Sequence, residues 1–152
     1  MRLTTLLSLR LEDLSINGKV SDRIRVRRST TKGKRAGYDM VLHPQAAQAL
    51  QEYLDTDHRV MGYLFPGRSR SRLSRSQGWR MVKNIFKEVG IEGGMGELGA
   101  HAFRKTFCKL VYEALKYDLI KTAHAMKHAS VSTTVQYLSF DEADVDSAIL
   151  TI

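Results

Sequence analysis

AHAMKHASVSTTVQYL, residues 123–138, sets a histidine, His128, and a tyrosine, Tyr137, nine positions apart across a run rich in serine and threonine. Ser132 suits the N-cap of a short helix carrying Tyr137, because a hydroxyl there accepts a hydrogen bond from a first-turn amide that otherwise has no partner. Upstream, HAFRKTF (residues 101–107) opens another helix. Its His101 and Arg104 are three positions apart, so both side chains can face one ligand. The first-turn amides add a favourable potential for a phosphate. Phe103, Phe107, Leu110, Val111 and Ala114 form the apolar stripe of that helix, and Cys108 is a packing residue on it.

Toward the N-terminus, Leu3, Leu6 and Leu7 recur at helical spacing, which predicts a short helix after Arg2. Asn17-Gly18 predicts a turn. Ile24 and Val26 alternate with Arg23, Arg25 and Arg27, the pattern of a strand with one buried and one basic face. Lys32-Gly33-Lys34-Arg35 forms a hairpin tip, and the returning strand alternates through Met40 and Leu42. Pro44 suits the first turn of a helix running to about Leu54. Residues 55–78 read as a loop, basic and serine-rich from Arg68 to Arg75. Trp79, Val82, Ile85, Phe86 and Val89 then mark an amphipathic helix closed by Gly90. Gly93, Gly94, Gly96 and Gly99 loosen the next connection, and a last helix starting at Asp141 presents Val145, Ala148 and Ile149. The expected fold is α+β, mostly helical with one small antiparallel sheet.

At 152 residues the chain can bury a real core in one domain. With 24 Lys+Arg against 16 Asp+Glu the net charge is +8, which suits a polyanion: nucleic acid, an acidic protein or an anionic membrane surface. No apolar run approaches the roughly 20 residues of a membrane span, and the N-terminus lacks a signal-peptide pattern. The single cysteine, Cys108, can form no intramolecular disulfide, which suits a reducing cytoplasm. No Lys or Arg follows Lys127, whereas Asp141, Glu142, Asp144 and Asp146 crowd the C-terminus. Such a tail suits a protein surface better than a nucleic acid.

Residues 123–138 resemble the nucleophile-bearing motif of the tyrosine recombinases, the family of phage integrases. HAFRKTF resembles that family's His-x-x-Arg motif, and MRLTTLLSLRLEDL, residues 1–14, resembles the segment holding its first catalytic arginine. The matches follow the family's order along nearly the whole chain. The resemblance implies the C-terminal catalytic domain of an enzyme that cleaves and rejoins double-stranded DNA, as in integration and excision. Tyr137 is then the nucleophile and forms a 3′-phosphotyrosine. Arg2 and Arg104 clamp the non-bridging oxygens of the scissile phosphate. His101 and His128 hydrogen-bond to the same phosphate, and His101 assists deprotonation of the Tyr137 phenol. The family's general acid is a lysine on a β-hairpin, here Lys32 or, in a shifted register, Lys34. Lys34, Arg35, Arg68, Arg70, Arg72 and Arg75 are expected to contact the DNA backbone, giving affinity without sequence choice. No metal and no cofactor is implied, and the sequence offers no Asp, Glu, His or Cys cluster at metal-ligand spacing.

Three features depart from the family pattern. Thr5 stands three residues after Arg2, where the family often has an acid that buttresses the arginine. Lys127 replaces the glycine that commonly precedes the second histidine. The chain opens one residue before Arg2, whereas the family carries further catalytic-domain helices and a core-binding domain ahead of this point. Residues 1–152 are therefore expected to be one catalytic domain, truncated at its N-terminus and without the core-binding domain. The acidic tail, residues 141–152, is expected either to pack back on its own domain or to dock on other recombinase protomers. The expected location is the cytoplasm, at the nucleoid of a bacterial host. The competing reading of the same departures is an inactive DNA-binding or interaction remnant of an integrase.

Overall fold

Leu3 and Leu6 do bracket a helical turn, α1 (Leu3–Leu6), which starts after Arg2 in extended conformation, with the Arg2 carbonyl accepting the Leu6 amide at 2.9 Å. The computed structural model describes residues 1–30, 36–68, 70–93, 99–138 and 149–151. The expected tip at residues 32–35 and the expected last helix from residue 141 lie outside the described residues. Residues Met1–Ile91 and Glu92–Ile152 form two compact units.

In the first unit, a single 3₁₀ turn (Leu11–Asp13) leads into a hairpin of β1 (Ser15–Ile16) and β2 (Lys19–Val20). Its turn residues Asn17 and Gly18 have φ of 52° and 79°, the left-handed pair that a tight hairpin turn requires. Strands of two residues are too short to show alternation, so the turn was legible and this second sheet was not. In β3 (Arg23–Val26), Ile24 and Val26 are buried while Arg23 and Arg25 stay exposed. The strand pairs antiparallel with β4 (Tyr38–Val41), setting Ile24 opposite Met40 and Val26 opposite Tyr38. Pro44 occupies the first position of α2 (Pro44–Thr56).

The next helix, α3 (Arg75–Glu88), begins within the stretch expected to be loop. Its start is a capping box: Ser74 Oγ accepts from the Gln77 amide at 3.2 Å, and Gln77 Oε1 accepts from the Ser74 amide at 2.9 Å. Within α3, Gly78 lets the helix approach α1 closely, since a Cβ there would lie 2.8 Å from Leu7 Cδ1. The core joins Leu9, Leu11, Leu14, Ile24 and Leu64, with Met40, Leu42, Leu50 and Leu54 packed around it. Each such side chain contributes about 1.5–3 kcal/mol when fully buried. Of the apolar stripe expected on α3, Phe86 is buried and Val82 half-buried, while Trp79, Ile85 and Val89 are exposed.

The second unit contains α4 (Ala100–Ala114), α5 (Leu119–Ala125) and α6 (Val131–Val135). Among the described residues its core joins Cys108, Met126 and Leu138, flanked by Tyr112, Leu119 and Tyr137. On α4, Phe103, Phe107 and Leu110 are exposed rather than core. Among the described residues three helices end alike, the amide two past the cap returning to a carbonyl five residues back: Ile91 to Phe86 (2.9 Å), Tyr117 to Tyr112 (2.8 Å) and His128 to Ala123 (2.9 Å). This closure needs a left-handed residue just past the cap, usually glycine. Here those residues are Gly90 (φ 69°), Lys116 (φ 54°) and Lys127 (φ 53°). At α4 the Tyr112 and Tyr117 rings pack edge to face, with centroids 5.3 Å apart, sealing the turn. Ser130, not Ser132, stands at the cap of α6, and Tyr137 follows the helix rather than lying within it. The Ser130 hydroxyl lies 2.8 Å from that of Ser132 and 3.2 Å from that of Thr133, a local net that moves the start two residues earlier.

Candidate active site

The end of α5 places His128. The left-handed Lys127 turns the chain sharply, so the next residue points back across the cap. The His128 ring is then fixed by its Nδ1, 2.8 Å from Thr134 Oγ1, and Thr134 is fully buried. The turn also exposes the Met126 carbonyl to Arg104, whose Nη2 donates to it at 3.1 Å. This explains why a glycine is common where Lys127 stands: the position needs positive φ, which costs a residue with a Cβ about 1 kcal/mol.

On α4, His101 and Arg104 lie on one face, one turn apart. Tyr137, two residues after α6, reaches that face with its hydroxyl 3.4 Å from His101 Nδ1. The His128 and Tyr137 ring centroids are 5.2 Å apart, and those of His101 and Tyr137 are 6.4 Å apart. The Arg104 guanidinium carbon lies 5.5 Å from the centre of the Tyr137 ring. Four of the six residues expected to do chemistry are thus brought together by three short helices.

The electrostatics of this cluster are unusual. Arg104 is only 7% exposed, and arginine is almost never buried without a partner. Among the described residues no carboxylate lies within ion-pair distance of it. Its Nε is buried with no hydrogen-bond partner among the described residues. The Tyr137 ring offers only partial compensation. A buried cation with an unused donor beside a phenol and two imidazoles has the chemistry to receive an anion. Cys108 is fully buried, and burial pushes its thiol pKa up, so it remains a packing residue. Among the described residues, no group of three or more His, Cys, Asp or Glu could hold a metal ion.

The remaining expected site residues belong to the first unit or lie outside the described residues. Arg2 belongs to the first unit and is exposed at the start of α1. Lys32, Lys34 and Arg35 lie outside the described residues. Thr5, in place of an acid, is buried and donates through Oγ1 to the Thr30 carbonyl at 3.2 Å. It thereby ties α1 to the segment leading toward Lys32. Arg68, Arg70, Arg72 and Arg75 are all exposed, and Arg72 also donates to Ser8 Oγ at 2.8 Å. Two groups were missed in the sequence, Thr134 and the Met126 carbonyl. The first had a signal, a threonine one helical turn before Tyr137. The second, a backbone atom, had none.

Residues 1–143 match the phage integrase family. The chain is 30% identical over 143 residues to the probable integrase/recombinase YoeC of Bacillus subtilis (strain 168), covering 93% of this chain and 72% of that protein. Its fold matches the crystal structure of XerA recombinase with a TM-score of 0.75 at 24% identity, over 99% of this chain and 51% of that one. It also matches XerH site-specific recombinase bound to palindromic difH substrate in a post-cleavage complex, with a TM-score of 0.71 at 24% identity, over 97% of this chain and 42% of that one. The chain thus spans about half or less of the two crystallised recombinases. A family match over nearly all of its residues, carried on a recombinase fold, means that this chain belongs to the phage integrase family.

Proposed function

We propose that this chain breaks and rejoins duplex DNA through Tyr137, in site-specific recombination. The Tyr137 oxygen attacks the scissile phosphorus, forming a phosphotyrosyl ester at the 3′ end and breaking the bond to the 5′ oxygen. The phenol proton passes to His101 Nδ1, and the departing oxygen takes a proton from Lys32, or from Lys34. A 5′ hydroxyl of a partner duplex then reverses the step. Exchange therefore needs a second protomer, and residues 141–152 are the proposed contact. A chain with this work belongs at the nucleoid, in a bacterial cytoplasm.

What supports this reading above all is the buried Arg104 guanidinium with no carboxylate beside it among the described residues, next to the Tyr137 ring. A phosphate would supply the missing anion, and with Arg2 on the other non-bridging oxygen it would stabilise the pentacovalent state. Losing one such donor costs about 10²–10³ in rate. Thr134 supports the role of His128. When its hydroxyl donates to Nδ1, the imidazole proton sits on Nε2 and can be donated to the same phosphate.

A nicked suicide duplex, whose short 5′ fragment diffuses away after attack, tests the proposal. A covalent protein–DNA adduct is expected with the natural chain, undiminished by EDTA, and absent in Tyr137→Phe. An adduct that persisted in Tyr137→Phe, or that required Mg²⁺, would remove this mechanism.

A further inference from the structure

Thr5 stands where the family often has an acid, and its bond is one that an acid does not make. An ionised carboxylate only accepts hydrogen bonds, whereas a hydroxyl also donates. The Thr5 side chain is buried and donates through Oγ1 to the Thr30 carbonyl at 3.2 Å. A carboxylate in its place would set two acceptors against each other. Thr5 belongs to α1, whose first turn is closed by the Leu6 amide on the Arg2 carbonyl at 2.9 Å. One helical turn therefore carries both the backbone of Arg2 and the hydroxyl that reaches Thr30.

Thr30 is fixed from its own side as well. Its amide and its Oγ1 both donate to the Arg27 carbonyl, at 3.0 Å and 2.7 Å, closing the turn Arg28–Thr30. Arg27 is held in turn by buried Asp13 through Nε at 2.6 Å. On the returning side, Gly37 lies against the same backbone: a Cβ there would be 2.9 Å from the Val26 oxygen and 3.2 Å from the Arg28 nitrogen. All of these residues belong to the first unit. Residues 31–36, with Lys32 and Lys34 among them, thus leave and re-enter a base that is fixed at both ends. A chain reaches at most about 3.5 Å per residue, so over so short a span the base decides where its lysines can go.

We propose that Thr5 is a positioning residue for the general acid: its bond to Thr30 holds the base of the lysine-bearing hairpin in register with the turn of α1 that starts at Arg2. The lysine that protonates the departing 5′ oxygen and the arginine that clamps the phosphate then share one frame. Thr5 touches no reacting atom and acts only through Thr30. The assignment rests on the reading of a hairpin lysine as the general acid.

The test is the rate of adduct formation on two nicked suicide duplexes, one with the ordinary 5′ oxygen as leaving atom and one with sulfur in its place. A thiolate departs without a proton from the enzyme, so the sulfur duplex does not report on the general acid. Thr5→Val, which cannot donate, should cut the ordinary duplex about tenfold more slowly, the value of one hydrogen bond. On the sulfur duplex it should stay within about twofold of the natural chain, which also shows that the variant is folded. Thr5→Ser should keep the ordinary rate. Thr5→Asp, although it restores the family's acid, should be as slow as Thr5→Val. A faster Thr5→Asp would show that this position serves Arg2 and would overturn the assignment. Slow cutting of both duplexes by Thr5→Val would place Thr5 in the fold or behind Arg2, and natural rates on both would make its bond idle; either result overturns it. Lys32→Ala and Lys34→Ala keep the underlying reading distinguishable. If sulfur rescues neither, the hairpin lysine is not the acid and the assignment falls with that reading; if sulfur rescues one of them but not Thr5→Val, the role of Thr5 alone is overturned.

Discussion

In the first unit the buried carboxylate of Asp13, with its side chain 3% exposed, receives Arg27 at 2.6 Å and the Arg10 amide at 3.2 Å. In the second unit the buried guanidinium of Arg104 receives no carboxylate among the described residues and keeps one donor unused. The first arrangement closes on itself: a charge hidden from water has found its counter-charge and a backbone donor. The second is open, and burial of a charge without its partner is costly. Among the described residues both units bury polar groups, Thr5, Ser8 and Asp13 in the first and Thr122, Thr134 and Arg104 in the second, so the difference lies in whether the buried charge has a counter-charge.

The largest expected effect is at Arg104. Arg104→Met should slow adduct formation by about 10²–10³-fold, while the melting temperature stays within a few degrees or rises, because an uncompensated charge has been replaced by an apolar chain. A collapse of stability would make Arg104 structural and erase the contrast. Asp13→Ala should do the opposite, costing about 1–3 kcal/mol in denaturant unfolding by stranding its donors. Thr134→Val keeps shape but frees the His128 ring, so single-turnover cleavage should fall about tenfold with the fold intact, the value of one hydrogen bond of about 1.4 kcal/mol. An unchanged rate would show that the ring needs no such anchor. The smallest effect is at Lys127. Lys127→Gly should relieve the left-handed turn and stabilise the chain by about 0.5–1 kcal/mol in the same unfolding assay, and destabilisation would show that the lysine side chain outweighs its backbone strain.

Much of this was legible in the sequence where one local signal dominates. The alternation of Ile24 and Val26 with arginines, Pro44 at a helix start and Gly90 at a helix end each act through backbone sterics or burial within a few residues, and each appears as expected. The start of α3 was misplaced because its signal, the Ser74–Gln77 box, lies in a serine-rich run that also reads as loop. The stripe Phe103, Phe107 and Leu110 shows that periodicity reports an apolar face but not what covers it. In the candidate site, His101, Arg104, His128 and Tyr137 were singled out by their resemblance to the family's motifs, and the structure sets these four side by side. Their supports were not, because the Met126 carbonyl and the Schellman turn at Lys127 are backbone features, and the isolation of Arg104 is a three-dimensional fact. Arg72 differs from Arg68 and Arg70 through its bond to Ser8, sixty-four residues away in sequence, which no spacing reveals.

The claim that Arg104 is held open for a phosphate can be read at its own Nε–H by nitrogen-edited nuclear magnetic resonance. The measurement uses Tyr137→Phe, which can bind a duplex without cutting it. As duplex is added, the Arg104 Nε–H resonance should move downfield and exchange more slowly with water, saturating together with the backbone amides of His101 and Thr134. If those amides saturate while the Arg104 Nε–H resonance stays where it was, the guanidinium does not receive the phosphate and the account fails at its centre.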